Sequence, residues 1–187
     1  MISGRVSLDA AARSFKRHRF AFLSSLISTE IACRFEQETR NLPFSRVSVG
    51  DNPATWDEHT LASDCEIVAM FSSAQVIQLI STIAGFNSPV CDLICWIARY
   101  GNGEYIDRHT DGAGTVQLLV CLVAPPSENG GALVLVSGPS EHCYVLRAGD
   151  AVLFAATAVE HCTIPLISSL ACPDPVRVVV VARYFFS

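Results

Sequence analysis

The C-terminal half of the sequence consists of short apolar segments of β type, separated by Gly and Pro residues. These segments follow Pro89 and lie at 92–100, 104–109, 115–123, 131–136, 142–147, 150–156, 161–166 and 176–186. Many short strands with turn residues between them are typical of β-sandwiches and jelly rolls. We therefore predict an α+β, mainly β chain whose core is a double-stranded β-helix, the jelly roll of cupin-like proteins.

The N-terminal half carries helical patterns. Residues 20–23 are predicted to form a strand, and a helix is expected from about Ser28 to about Thr39 because Ser and Thr are favoured caps. Residues 72–84 have apolar side chains at helical spacing, and Gly85 closes that pattern. We therefore predict that helices from the N-terminal half pack against the β core and support it.

Three other N-terminal segments have weaker patterns. Residues 1–19 are polar and basic, which predicts a loose arm or a first helix. Residues 45–64 are rich in polar and turn residues and have no clear period, so we expect a long surface loop near a functional cleft. Residues 66–71 are a short apolar run, which we predict to be a strand.

Length and charge restrict the possible classes of protein. A chain of 187 residues that is 50% apolar fits one domain, 1–187, with helical support at about 20–90 and the jelly-roll core at about 92–186. The formal net charge is −5. An acidic chain offers little attraction to phosphate backbones or anionic lipid, so nucleic acid and membrane are not expected as partners.

The cysteines indicate a reducing compartment. The eight cysteines have no CxxC spacing, and most stand in apolar runs, where a thiol behaves as a small buried side chain. The basic N-terminal residues and FAFLSSLIS only partly imitate a signal peptide, and no apolar run reaches the length of a membrane span. We therefore expect a cytoplasmic protein with reduced thiols.

A histidine and an aspartate lie two residues apart at the end of the predicted strand 104–109. Residues i and i+2 of a strand point to the same face, so His109 and Asp111 can bind one ion. His161 follows the apolar strand 150–156 and is the candidate third ligand, expected from the opposite sheet. Two histidines and one carboxylate on one face of an octahedron form the site of non-haem iron(II) oxygenases, which leaves three positions open.

The sequence around these residues resembles a known family. The blocks RYGNGEYIDRHTDG, LLVCLVAP, NGGALVL, LRAGDAVLFAATAVEHCTIPL and RVVVVARYFF occur in that order within residues 92–186. Together they resemble the prolyl 4-hydroxylase-like branch of the 2-oxoglutarate and iron(II)-dependent oxygenases. The resemblance implies Fe(II) as cofactor, 2-oxoglutarate and O2 as cosubstrates, and succinate and CO2 as products.

The resemblance also implies a cosubstrate site. In the family an Arg or Lys on a strand after the second histidine pairs with the C5 carboxylate of 2-oxoglutarate. Arg177 is the expected residue here and Arg183, on the same strand face, is its competitor. Tyr100 is expected to donate its hydroxyl to 2-oxoglutarate or to be a core aromatic, and Thr163 is a further candidate contact.

Three more residues flank the predicted site. Arg99, Tyr105 and Arg108 are candidate contacts of the substrate or of the ligand residues, and Arg99 could instead pair with Asp92 or Glu104. Family members that halogenate have Gly or Ala in place of the carboxylate ligand. Asp111 therefore favours hydroxylation or desaturation.

The sequence leaves the substrate open. Our leading hypothesis is an unactivated carbon of a small molecule such as an amino acid or biosynthetic intermediate, because the domain is minimal. A protein or peptide prolyl hydroxylase is the second hypothesis. The third is an AlkB-type nucleic-acid demethylase, because RVVVVAR has its RxxxxxR spacing. A cupin-like metal-binding module without catalysis is the fourth.

Overall fold

The fold was obtained as a computed structural model, in which residues 7–48 and 53–187 are described. The helices are α1 (Leu8–His18), α2 (Thr29–Thr39), α3 (Glu66–Phe71) and α4 (Ala74–Ala84), with a 3-10 helix at Ser127–Asn129. The strands are β1 (Phe20–Leu23), β2 (Ser45–Ser48), β3 (Thr55–Thr60), β4 (Val90–Tyr100), β5 (Val116–Val123), β6 (Leu133–Ser137), β7 (Ser140–Tyr144), β8 (Ala151–Ala155), β9 (His161–Thr163) and β10 (Arg177–Phe186). The predicted α+β, mainly β class is confirmed.

The strands form two antiparallel sheets. The large sheet has the order β1-β8-β5-β10-β4-β3-β2, and the small sheet has the order β7-β6-β9. Strand β10 is central in the large sheet and is buried over most of its length, as its continuous apolar run predicts. Two antiparallel sheets with non-sequential strand order agree with the predicted jelly roll.

Helix ends follow from local capping. The side chain of Ser28 accepts a hydrogen bond from the Ile31 amide at the start of α2, and that of Ser73 does the same for Val76 at the start of α4. Gly85 ends α4 in the left-handed region, at φ 75°. The apolar faces of the helices belong to the same hydrophobic cluster as the buried residues of the large sheet.

Residues 66–71 are a helix, so the predicted strand is wrong. Cys65 caps α3 by accepting from the Val68 amide, and Ile67, Val68 and Phe71 are buried. Phe71 lies three residues after Val68 and four after Ile67, which places the three on one helix face. A six-residue apolar run has too few positions to distinguish this spacing from a buried strand.

The predicted long loop at 45–64 is also wrong, since it contains the paired strands β2 and β3, while its residues 49–52 lie outside the described residues. Strand β3 adds to the large sheet beside β4, with Asp57 opposite Arg99 and Glu58 opposite Ala98. Its alternation is hidden because both faces are largely polar. On one face an ion-pair network joins Arg46, Asp57 and Arg99.

The predicted strand 104–109 does not form, and of this segment only His109 makes a β-bridge. The segment still runs beside β9. The Ile106 amide donates to the Thr163 hydroxyl at 2.8 Å instead of to a carbonyl, which interrupts the regular ladder. The segments predicted at 142–147 and 161–166 are strands only at Ser140–Tyr144 and His161–Thr163.

All eight cysteines are free thiols. No helix in the described ranges combines the length and the apolar character that are needed to cross a membrane. Residues 1–6 of the predicted N-terminal arm lie outside the described residues, and most of its remainder forms α1.

Candidate metal centre

A cavity of about 530 Å³ is lined by residues of both sheets. Alternate residues of the large sheet point into it, as the two-residue period of a strand requires. These are Trp56, Glu58 and Thr60 of β3, Trp96, Ala98 and Tyr100 of β4, Gln117 and Leu119 of β5, and Val181 and Arg183 of β10. Leu133, His161 and Thr163 line it from the small sheet. The volume is within the range of small-molecule sites.

His109 and His161 are joined through their backbones. The His109 amide donates to the His161 carbonyl at 3.0 Å, and the His161 amide donates to the His109 carbonyl at 2.8 Å. This reciprocal pair places the two imidazoles side by side, with ring centroids 4.3 Å apart. We predicted that His161 comes from the sheet opposite His109. This is wrong, because His161 lies on the strand directly beside His109.

Backbone carbonyls fix the orientation of both imidazoles. Nδ1 of His109 lies 2.7 Å from the Asp107 carbonyl, and Nδ1 of His161 lies 3.1 Å from the Val159 carbonyl. A carbonyl can only accept, so each Nδ1 carries the proton and donates it. Each Nε2 then has a free lone pair, which is the form in which histidine binds a metal.

The environment of His161 keeps its imidazole neutral. Burial, followed by the nearby His109, lowers its pKa from 6.5 to about 4. His109 is more open, with about a third of its side chain exposed. The pair therefore has one buried imidazole and one that faces the accessible side of the cavity.

The Asp111 carboxylate lies close to both imidazoles. One of its oxygens, Oδ1, is 4.0 Å from Nε2 of His109 and accepts a hydrogen bond of 2.5 Å from Arg183. Burial raises the Asp111 pKa, and the Arg183 guanidinium opposes this by favouring the carboxylate. Its other oxygen, Oδ2, is buried without a hydrogen-bond partner among the described residues.

The three side chains form the one group of potential metal ligands found in the described ranges. Their ligand atoms all lie within 4.8 Å of one another. A buried carboxylate oxygen without a partner is costly unless something completes it, and a divalent cation would do so. The donor set of two imidazoles and one carboxylate suits a non-haem iron(II) ion.

The two arginines of β10 have different surroundings. Nε and Nη2 of Arg183 donate to the Gln117 side chain at 3.0 and 2.8 Å, and Nη2 also donates to Asp111. Arg183 thus connects the Asp111 carboxylate to the Gln117 side chain. Arg177 is six residues earlier, about 20 Å along an extended strand.

Arg177 is a buried cation with unused donors. It is 2% exposed, and neither Nη1 nor Nη2 has a hydrogen-bond partner among the described residues. Its guanidinium lies over the ring of Tyr100, 5.1 Å from the centroid. Gly131, at φ 73°, lies beside it: a Cβ there would stand 3.4 Å from Cδ of Arg177 and 2.8 Å from Cδ2 of Leu166.

The remaining predicted residues are distributed around this cavity. Tyr100 and Thr163 line it, and burial raises the pKa of the Tyr100 phenol. Arg108 lines the outer part and pairs with Glu141 and Glu160, whereas Tyr105 is half-buried and is not among the lining residues. Arg99 pairs with Asp57 and not with Asp92 or Glu104.

Several cavity residues were missed from the sequence, and four of them have large or polar side chains that matter for the site. Trp56 and Glu58 lie in the segment predicted as a loop, and Trp96 lies in a strand whose polar and apolar residues do not alternate clearly. Gln117 carried a usable signal, because it is a polar residue inside the otherwise apolar strand β5. A buried polar residue of this kind needs a partner, and here the partner is Arg183.

Comparison with known proteins finds similarity in structure only. No protein-family model matches the sequence, and no curated protein matches it. A prolyl 4-hydroxylase of Pseudomonas putida superimposes with a TM-score of 0.78 at 16% identity, over 96% of this chain and 99% of that one. A 2OG-Fe(II) oxygenase-family oxidoreductase of Burkholderia pseudomallei gives 0.77 at 16% identity, over 99% and 93%.

The chain has the fold of the 2-oxoglutarate and iron(II)-dependent oxygenases. A third structure of this family fold is the epimerase SnoN from nogalamycin biosynthesis, in complex with Fe3+, alpha ketoglutarate and nogalamycin RO. It gives a TM-score of 0.72 at 16% identity, over 95% of this chain and 83% of that one. The resemblance drawn from the sequence blocks is confirmed at the level of the fold.

Proposed function

We propose that the chain, as one domain, is an Fe(II)- and 2-oxoglutarate-dependent oxygenase. One observation carries the proposal: three metal-binding side chains converge at a cavity that also has a buried arginine with unused donors beside it. The three ligand side chains suit a metal ion, and the arginine beside them suits the carboxylate of a dicarboxylate that also contacts the metal. The shared fold with the solved oxygenases supports the same conclusion.

The proposed ligands are Nε2 of His109, Nε2 of His161 and a carboxylate oxygen of Asp111. The Asp107 and Val159 carbonyls hold the two imidazoles in the binding tautomer. Arg183 holds the carboxylate from its outer side, and Gln117 in turn positions Arg183. When bound, iron and 2-oxoglutarate would supply the oxidising power for hydrogen abstraction, with succinate and CO2 as co-products.

Arg177 is the proposed partner of the 2-oxoglutarate C5 carboxylate. A guanidinium matches a carboxylate with two parallel hydrogen bonds, and both terminal nitrogens of Arg177 are available. Arg183, the competitor from the sequence, is already occupied by Asp111 and Gln117. Tyr100, beneath Arg177, and Thr163, on the facing sheet, are proposed as further contacts of the cosubstrate.

We propose that the substrate is a small molecule, such as an amino acid or biosynthetic intermediate, that is hydroxylated or desaturated at an unactivated carbon. The cavity volume supports this, and SnoN is a neighbour that holds a small molecule. The similarity to a prolyl 4-hydroxylase keeps a peptide substrate as the alternative. The RxxxxxR spacing has an explanation within the site, since Arg183 holds Asp111, so it gives no separate support for a nucleic-acid substrate.

The test is iron-dependent conversion of 2-oxoglutarate to succinate by the purified protein. We expect slow uncoupled turnover without substrate, which Asp111→Ala abolishes. Under anaerobic conditions, Fe(II) and 2-oxoglutarate together should give a charge-transfer absorption that neither gives alone. A protein that binds iron but gives neither signal would instead be the metal-binding module without catalysis.

The eight free cysteines further support a reducing compartment such as the cytoplasm.

A further inference from the structure

The cavity extends well beyond the proposed metal and cosubstrate positions. Asp111 and Arg177 are associated with β10, at the centre of the large sheet, whereas β3 lies two strands away across β4. Two strand spacings are about 10 Å. The part of the cavity over β3 and the neighbouring Trp96 of β4, which we call the lobe, is therefore the space left for a substrate.

A carboxylate stands in the floor of this lobe. Glu58 of β3 is half-buried and lines the cavity, and its backbone neighbour across the ladder is Ala98. Because Ala98 is small, it leaves open space between Glu58 and β10. The Trp56 indole N–H donates to Oε2 of Glu58 at 3.0 Å, which fixes the direction of the carboxylate.

The Glu58 carboxylate has no ion pair among the described residues. Arg183 is paired with Asp111, and Arg108 with Glu141 and Glu160, so both cavity arginines are already compensated. A half-buried carboxylate with one neutral hydrogen bond attracts a cation. Its charge is therefore available to a ligand.

The walls of the lobe suit an organic cation better than a bare metal ion. Trp56 and Trp96 line it from β3 and β4, together with the apolar Ile94. Indole faces attract ammonium and guanidinium groups, and they also contact the apolar body of a ligand. One carboxylate alone is a poor metal site. The Arg183 guanidinium already lies over the Trp96 ring, 4.9 Å from its centroid, so the Glu58 carboxylate and the Trp56 indole are the groups that suit an amine.

We infer that Glu58 is a specificity-determining residue that binds a protonated nitrogen of the substrate. The inference rests on the proposed oxygenase function and adds to it the substrate class: a small molecule with an ammonium or guanidinium group. In this arrangement the Glu58 carboxylate anchors the cation over β3. The Trp56 and Trp96 indoles contact the adjoining carbon skeleton, whose far end extends towards the metal ligands.

The inference can be tested with probes that differ in charge but not in shape. We would titrate the protein with cyclohexylmethylamine and cyclohexylmethanol, and with 2-phenylethylamine and 2-phenylethanol, by ligand-observed NMR. The titrations use the full chain, first without metal and then loaded anaerobically with Fe(II) and 2-oxoglutarate. A charge-assisted hydrogen bond predicts that each amine binds about tenfold or more tightly than its alcohol.

The decisive variant is Glu58→Gln, which keeps an oxygen acceptor for the Trp56 N–H and removes the charge. We expect it to lower the amine-to-alcohol affinity ratio to about one and to leave alcohol binding unchanged. The matched control is Glu128→Gln, an exposed position on the 3-10 helix, which should behave as the wild type. Melting temperatures of both variants establish that they are folded.

Three results would overturn the inference. They are equal affinities of amine and alcohol for the wild type, an amine preference that survives in Glu58→Gln, and binding of neither probe type to the wild type. Failure of the oxygenase proposal is a different result. It would appear as absence of iron-dependent succinate formation, and the charge preference measured on the metal-free protein would still be readable.

Discussion

Replacing Arg177 with methionine should change stability and cosubstrate binding in opposite directions. Methionine is unbranched and of comparable length, so it can fill the space beside Tyr100 and Gly131. In the metal-free protein it removes a cation that is 2% exposed and whose terminal nitrogens have no hydrogen-bond partner among the described residues. Replacing buried charge with a packed apolar side chain stabilises some proteins by about 1–4 kcal/mol.

The magnitudes follow from these contacts. We expect the free energy of unfolding of the metal-free variant to rise by about 1–3 kcal/mol, and each 1 kcal/mol corresponds to about 2–4 °C in melting temperature for a chain of this size. The lost bidentate ion pair should weaken 2-oxoglutarate binding by about 2–3 kcal/mol, which is about 30- to 150-fold in Kd. The assays are denaturant unfolding and anaerobic titration of the iron-loaded protein with 2-oxoglutarate.

The control for this experiment is Arg34→Met. Arg34 forms an exposed ion pair with Glu66, where both side chains are about half exposed, so its removal should change stability by less than about 1 kcal/mol. It should leave 2-oxoglutarate binding unchanged. A less stable Arg177→Met protein that still binds 2-oxoglutarate with wild-type affinity would refute the assignment of Arg177 to the cosubstrate.

Three further predictions concern the same site. Arg183→Gln removes the partner of Asp111 and should lower iron affinity by about 10- to 100-fold in a competition titration with a chelator, whereas unchanged affinity would contradict the positioning role. In the metal-free protein, His161 has a folded pKa of about 4 against an ordinary value of 6.5, so the unfolded state binds the proton more readily. The free energy of unfolding should therefore fall by up to about 3 kcal/mol as the pH drops from about 6.5 to about 4, and an equal loss in His161→Gln would count against this cause. Gly131→Ala forces a side chain into φ 73° and to within 2.8 Å of Cδ2 of Leu166, so it should destabilise the protein by about 1–3 kcal/mol in urea unfolding, and an unchanged free energy of unfolding would contradict this.

The elements that could be predicted are those whose buried residues form a clear hydrophobic pattern in the sequence. The core strands β4, β5, β8 and β10 were predicted within about two residues, because long apolar runs between turn residues have few alternative structures. Helix α2 was predictable because Ser28 caps it. Helix α3 and strand β3 were not, since six apolar residues fit either structure and a strand that faces a polar cavity does not alternate.

The candidate site shows a similar division. The spacing of His109 and Asp111 identified two ligand candidates, yet their backbone is not the regular strand that we used to argue for a shared face. The choice between Arg177 and Arg183 could not be made from sequence, because residues six apart in a strand face the same way. The two arginines differ only in their spatial neighbours: Arg183 is bonded to Asp111 and Gln117, whereas Arg177 is not.

The reciprocal backbone bonds between His109 and His161 have a consequence for metal exchange. They connect positions far apart in the chain, so folding itself brings the two imidazoles together before any ion arrives. The entropic cost of gathering these donors is then part of folding and not of metal binding, unlike in domains that are unfolded without their metal. If the proposed centre binds a metal, we expect a chelator to remove the ion and another divalent ion of similar size to replace it while the sheets remain intact.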